Sequence, residues 1–544
     1  MPAGGDPAVN APARRPPRLI PLAWGAVAFL ALAALGNGPG ISREEAGALA
    51  AAGAVPGDAG ADGARPPLAP LTQLSVREPG SVAVHLRFSL LARCRLGSAL
   101  AAGVLSALLS FLAGELGGAG AAALAPALLL GPPRLLLPLL AAGPRAAGTA
   151  LFFSVLLLYR ASFRAARRPG RGFAALGCGG LFGLALPVEP GSCLLLGVVL
   201  LHAALLQLGG PSRPGPAAVP RRAFYPRSAL LAVLAMASIG PACALASWPW
   251  LWTDTLSRAG EALASVRATG ALLHMGRFLP PGRPPLGFPL LVTALSLPAA
   301  VVGTFAAGVL HAGARLWGGV RSPREPRGGG SLPGPADEFL LLLGAAGPFV
   351  AAQLGLAARV PGPDPWLAAF PLLAVVGARA LLACAAASWP ARARLLSACL
   401  AAAVLAPAAT ALARSYPELG ASWGELAGGT PGAASLGLPR QEGEAAASLL
   451  PEISSRARPG ARVHFGSVPI AALAVYAAEG RIRQDLVAVT SPREADLAVV
   501  SVGGGPQDED YRIRAAFQTS TPVAGAYLDE VPLAWVYARP GAWR

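Results

Sequence analysis

The chain has 544 residues, 54% of them apolar and 13% charged, with a mean hydropathy of +0.53. That is too apolar for a soluble domain of this length and predicts many transmembrane helices. The formal charge of +16 looks like a nucleic-acid signal. Most of the excess, however, sits in short loops between apolar spans, where it sets orientation in a bilayer. No nucleic-acid partner is expected. The 44 basic residues are all arginine; Arg, Ala, Gly and Pro share GC-rich codons, which points to a GC-rich bacterial genome.

Residues 1–18 are rich in Pro and Arg (Arg14, Arg15, Arg18) and predict a disordered cytoplasmic N-terminus. The first apolar span, 19–36, has a basic flank and no clear small-residue cleavage site, so it reads as a retained helix. A long hydrophilic loop, 37–94, follows and carries Glu44–Glu45. Further apolar spans lie near 96–114, 117–131, 144–159, 172–187, 191–208, 228–247, 287–310, 338–355, 366–387 and 394–413. The weakest part is 117–131 and the Pro-interrupted 132–145, where a helix is either broken or re-entrant. With the first, about eleven transmembrane helices are expected. With the N-terminus inside, the segments 160–171, 209–227, 311–337 and 388–394 are cytoplasmic, and all four are Arg-rich, as the positive-inside rule requires. The loops 37–94, 248–286 and 356–365 then face outward, as does everything after 413. No ionisable residue is expected at the middle of a span, where a transporter would carry its coupling groups, and no inverted repeat is visible.

The loop 248–286 separates two spans. It opens on Trp248, Trp250 and Trp252, and indole favours the membrane–water boundary. An amphipathic segment follows, with Leu256, Leu263 and Val266 set against Arg258, Glu261 and Arg267, a spacing that suits a helix lying flat on the bilayer. The loop closes on Arg277, a proline cluster and Arg283. A membrane-hugging helix edged by fixed cations suits a substrate with an apolar tail and an anionic head; the plainer alternative is a re-entry loop with aromatic anchors.

The last part of the chain, 414–544, differs in kind. RVHFGSV, ADLAVVSV and PLAWVYARP read as strands, and 443–456 and 469–479 as helices, giving a small α/β extracytoplasmic domain. It has no Gly-rich phosphate loop and no obvious catalytic cluster. The six cysteines (Cys94, Cys178, Cys193, Cys243, Cys384, Cys399) lie in or beside apolar spans with no C-x-x-C spacing. They read as small helix residues, so neither a metal nor a redox cofactor is expected.

An ordered series of short motifs runs through the chain. Trp248-Pro-Trp-Leu-Trp is followed by Thr253–Asp254, Arg258, Gly276–Arg277 and Pro284-Pro-Leu-Gly-Phe-Pro289. Earlier come Gly40-Ile-Ser-Arg-Glu44–Glu45, Arg95-Leu-Gly-Ser98, Gly148–Thr149, Tyr159–Arg160 and Gly183-Leu-Ala-Leu186. The tail carries Gly424-Glu-Leu-Ala-Gly428–Gly429, Tyr476, Gly480, Arg483, Asp485 and Leu486. The series resembles bacterial GT-C membrane glycosyltransferases of the glycosyltransferase family 39-like group, the protein O-mannosyltransferase and aminoarabinose-transferase superfamily. The resemblance implies a GT-C-like transmembrane domain over 19–413. It also implies transfer of a sugar from a polyprenyl-phosphate donor to a lipid, glycan or protein acceptor outside the bacterial inner membrane, with no metal or nucleotide.

On that reading a carboxylate takes or orients the acceptor proton, and cations hold the donor phosphate. Glu44 and Glu45 stand where the family carries an acidic pair and are the catalytic candidates; solvated surface acids are the alternative. Arg277 is the leading phosphate contact, with Arg258 and Arg283 behind it and lipid-headgroup anchoring as the alternative for each. Asp254 either orients the loop or caps the following helix. His274 is either polar lining or structural, and Trp252 is an interfacial contact. Glu189 reads as a wet turn residue. Three positions depart from the family: Ala150 where Asp is frequent, Glu189 near a usual Lys, and Gly287 where Trp-His precedes Tyr-Pro. They keep open a catalytically inactive scaffold; a transporter or flippase is the other rival.

Overall fold

In the computed structural model the described residues are 19–36, 41, 45, 90–164, 171–208, 225–266, 272–279, 284–321, 334–356, 362–440, 445–466, 468, 470–503 and 507–544. Glu44, Arg267 and Arg283, and the side chains of Leu263 and Val266, lie outside them. The chain is a multi-pass helical bundle followed by a small sheet domain. Among the described residues, seven helices are long and apolar enough to cross a membrane, and three shorter apolar helices accompany them.

The bundle begins with α1 (Leu19–Leu35), α2 (Leu90–Leu130), α3 (Pro133–Leu140) and α4 (Pro144–Arg164). Next come α5 (Arg171–Val188), α6 (Leu194–Leu208), α7 (Tyr225–Ser247) and the loop helix α8 (Thr255–Val266). A two-stranded hairpin, β1 (Leu272–His274) and β2 (Arg277–Leu279), precedes α9 (Phe288–Ser296) and α10 (Ala299–Arg321). The bundle closes with α11 (Pro335–Gln353), α12 (Phe370–Ser388) and α13 (Ala393–Ser415).

Two expected spans, 96–114 and 117–131, fall on α2, which breaks at Gly118 (φ 79°, ψ −172°). A left-handed φ costs glycine nothing and other residues much. The contacts at either end fix the chain's path. Ser98 meets Gly143 at 3.5 Å, and Glu115 pairs with Arg160 at 2.6 Å. The first leg of α2 and α4 therefore run side by side in the same direction, over about 25 Å at 1.5 Å per residue. The chain between 118 and 142 must return across that distance. The single span expected at 287–310 is instead two helices. Pro298 has no N–H and pushes the residue before it to extended backbone, and Leu297 has φ −104°, ψ 154°.

The sequence reading expects no ionisable residue at the middle of a span, and Arg379, inside the span expected at 366–387, corrects it. Arg379, on α12, pairs bidentately with buried Glu338 of α11 at 2.5 and 3.0 Å, and Arg315 of α10 approaches the same carboxylate at 3.2 Å. Beside them Arg160 bonds Asp337 at 2.9 Å and Glu115 at 2.6 Å. Arg160, Asp337, Glu338 and Arg379 are buried as partners, since a lone charge would be very costly in hydrocarbon, while Glu115 and Arg315 are partly exposed. They gather at the end that the arginine pattern assigns to the cytoplasm.

The opposite end carries the tail. After α14 (Gly429–Ser435) and α15 (Ala446–Arg456) come β3 (Arg462–Phe465), α16 (Ile470–Ala478), β4 (Val487–Val489), β5 (Leu497–Ser501), α17 (Gln507–Phe517), β6 (Ala524–Leu528) and β7 (Val531–Ala538). The sheet order is β4-β3-β5-β7-β6. β3 is parallel to both β4 and β5, while β7 is antiparallel to β5 and β6. The three expected strands and two expected helices are present; β4, β6, α14 and α17 are additional. The sheet core continues into the bundle through Ile41, Leu91, Cys94, Ala142 and Ala421.

Candidate active site

Where bundle and tail meet, Glu45 and Arg95 are fully buried. The guanidinium meets the carboxylate face to face, Nε to Oε1 and Nη2 to Oε2, both at 2.7 Å. Its third nitrogen donates to the Gly36 carbonyl at 2.8 Å, and the Ala142 N–H donates to Glu45 Oε1 at 2.7 Å. The pair thus ties the end of α1, the start of α2 and the end of α3 together, with the geometry in which such pairs are strongest. The tail reinforces the frame: the Ile41 N–H donates to the Tyr476 hydroxyl at 2.8 Å, and the Leu91 N–H to Glu479. Glu45 is therefore not a solvated acid, which removes the plain alternative for that residue.

The expected loop splits into two parts. Trp248 is buried and stacks on Trp250 at 5.5 Å; Trp252 is 62% exposed, its indole N–H bonded to the Leu245 carbonyl. Arg258 donates to the Trp250 carbonyl and lies 5.2 Å from that ring, within cation–π range. Asp254 is exposed, precedes α8 with φ 60° and accepts the Arg258 N–H at its carbonyl. Leu256 is 88% exposed on the same helix.

The second part is the hairpin, where His274 pairs in register with Arg277. Arg277 is exposed. His274 is buried edge-on against Phe288 at 5.0 Å, and burial lowers its pKa below the usual imidazole value. The turn docks on the tail: the Gly276 N–H donates to the Gly437 carbonyl at 2.9 Å, and a Cβ on Gly437 would stand 2.3 Å from the Gly276 nitrogen. Behind it, the Gly287 N–H donates to Gln353 Oε1 at 2.8 Å, and the Gln353 amide donates to the Pro284 and Pro285 carbonyls. Trp366 donates to Thr293 at 2.8 Å and faces Phe288.

α3 joins the hairpin side to the Glu45 frame. Arg134 at its start donates to the Ser422 carbonyl and lies 3.8 Å over the Trp423 ring, which packs on Leu295 of α9. A chain of contacts thus runs from Glu45 through α3, Arg134, Trp423 and Leu295 of α9 to Phe288, which meets His274 of the hairpin. Glu418 precedes the turn 419–421, which packs on α3. Burial pushes its carboxyl up to about 7, against a lowering hydrogen bond from Ser448, and its Oε2 has no partner among the described residues. Sequence reasoning missed Glu418, Gln353, Trp366 and Arg134, because each is defined by burial or by a partner far away in the chain. Glu189 is also corrected: it is half-buried and pairs with Arg145 at 2.9 Å, rather than being simply wet. Thr149 and Ala150 are buried in the wall of α4.

No family model matches the chain, and no curated protein matches it. Solved structures similar to it include ArnT from Cupriavidus metallidurans in the apo state, at 15% identity and TM-score 0.48, with 95% of this chain and 97% of that one covered. The same protein bound to undecaprenyl phosphate aligns at 14% identity and TM-score 0.44, with the same 95% and 97% coverage. The Archaeoglobus fulgidus oligosaccharyltransferase in the apo form aligns at 10% identity and TM-score 0.49, covering 89% of this chain and 69% of that one. Identities this low transfer no residue roles.

Proposed function

We propose that the protein transfers a sugar from a polyprenyl-phosphate carrier to a lipid, glycan or protein acceptor on the outer face of the bacterial inner membrane. The arrangement has residues 1–18 inside, the bundle 19–413 in the bilayer and 414–544 outside. One observation carries the reading: Glu45, Arg95 and Tyr476, from three motif pieces far apart in the chain, converge on one frame. A pair of incidental surface acids needs no such frame. With both Glu45 oxygens engaged, the base role falls to Glu44. The acceptor hydroxyl or amine gives its proton to Glu44 as it attacks the anomeric carbon. The anomeric C–O bond to phosphate breaks, and the polyprenyl phosphate leaves with the bonding electrons. Arg277, exposed at the hairpin edge, meets that phosphate, and Arg283 is the next candidate for the same contact. Arg258, held on Trp250, and Trp252 anchor the loop in the interface. His274 and Asp254 shape the hairpin and the entry to α8. The chemistry requires neither metal nor nucleotide.

A second reading, a family member that binds without turnover, is favoured by the engagement of Glu45 and by buried Ala150 where the family often carries an acid. Mass spectrometry of envelope glycans and glycoproteins separates the two. Loss of a defined glycan without the gene, and again with Glu44→Gln, is the expected result. An unchanged profile in both strains would favour the binding reading.

A further inference from the structure

Outside the site described above, the tail domain has a groove of about 520 Å³ between the β4–β5 loop and α17, within the ~300–1,000 Å³ of small-molecule sites. Thr490, Ser491 and Arg493 line one wall; Tyr511, Arg512 and Ala515 line the other. Both walls are built. On the loop side, Arg539 donates to the carbonyls of Ala495 and Arg493 at 2.8 and 2.9 Å, and the Arg493 N–H bonds the Ser491 hydroxyl. On the helix side, Ile513 and Phe517 are sunk beneath the sheet, and Arg514 pairs with Asp510 at 2.8 Å. Of the four arginines here, two hold the walls and two, Arg493 and Arg512, line the groove. Among the described residues neither of those two has a carboxylate within ion-pair distance.

The geometry points to a binding site for a phosphorylated sugar. A guanidinium on each wall matches the charge of a phosphate monoester, about −1.5 to −2 at neutral pH, better than the single charge of a carboxylate. Two hydroxyls suit the sugar's own hydroxyls. Tyr511, 74% exposed, offers a ring face to a pyranose, and Ala515 leaves room for one. The site stands apart from the membrane half and does not rest on the transfer reaction proposed above.

Calorimetric titration of the full chain in phosphatidylcholine nanodiscs with glucose 1-phosphate tests it. Glucose 1-phosphate is expected to bind at least about tenfold more tightly than either glucose or inorganic phosphate, and more weakly as salt rises. Arg493→Gln/Arg512→Gln should weaken it by about tenfold or more without moving the unfolding temperature. Affinity no better than that of inorganic phosphate would reduce the groove to a charge patch. Affinity retained in the double variant would place the ligand elsewhere. Loss of binding when phosphatidylglycerol replaces the neutral lipid would reassign the groove to bilayer headgroups. Each of these three results overturns the proposal.

Discussion

At the scale of single residues, two buried acids behave in opposite ways. Glu45 is compensated by Arg95 and the Ala142 N–H; Glu418 has only a weak hydroxyl partner. Removing one member of a buried pair strands the other charge, at a cost of about 3–5 kcal/mol. Glu45→Ala should therefore lower stability by that order in detergent, and adding Arg95→Leu should recover much of it; thermal unfolding of the two variants checks this. For Glu418 the sign is reversed. Its pKa in the folded chain, about 7, lies above the ordinary 4.5. Its contribution is then full below about 4.5 and is lost as pH rises through 7, on the order of 3 kcal/mol. Glu418→Gln should flatten the fall in unfolding temperature between pH 4.5 and 7.5; an unchanged slope would place the titration elsewhere. Neither acid's state was legible in the sequence. Glu45 and Arg95 stand fifty positions apart with no local pattern to join them, and nothing around Glu418 marks it as buried.

Among the elements, the β1–β2 hairpin is one of the pieces that couple bundle to tail. Its docking depends on two glycines in backbone-to-backbone contact, and Gly437 also has φ 64°. Gly437→Ala adds strain and a clash together. It should raise the donor KM several-fold, because it shifts Arg277, while leaving the spans intact; kinetics alongside far-ultraviolet circular dichroism would check both halves. The apolar spans were legible because hydropathy and arginine-rich loops are local signals. The sequence also marked 117–131 as a possible break, and α2 does break at Gly118. The division of 287–310 at Pro298 was missed, because a proline inside a membrane span does not always end the helix. The strands β4 and β6 are short and partly exposed, so neither shows the buried apolar run that exposed β5 to sequence reading.

Over the whole molecule, charge is sorted by end. Arg160, Arg315 and Arg379 with Glu115, Asp337 and Glu338 close one end of the bundle, and the hairpin, the Glu45–Arg95 frame and the tail crown the other. The arginine pattern places the first end in the cytoplasm. Reporter fusions after residues 220, 320 and 430 should accordingly read inside, inside and outside; a cytoplasmic signal at 430 would put the proposed site on the wrong face. On the proposed function, the outer end moves a sugar off a lipid phosphate. Its most direct test is transfer by the purified protein in nanodiscs from a radiolabelled polyprenyl-phosphate sugar to envelope-derived acceptors. Turnover is expected in the wild type. Arg277→Ala should weaken the donor by about ten- to a hundred-fold, the loss of one charge-assisted contact, and Glu44→Gln should abolish transfer with the fold intact. Turnover at wild-type rates in Glu44→Gln, with donor kinetics unaltered in Arg277→Ala, would contradict the account.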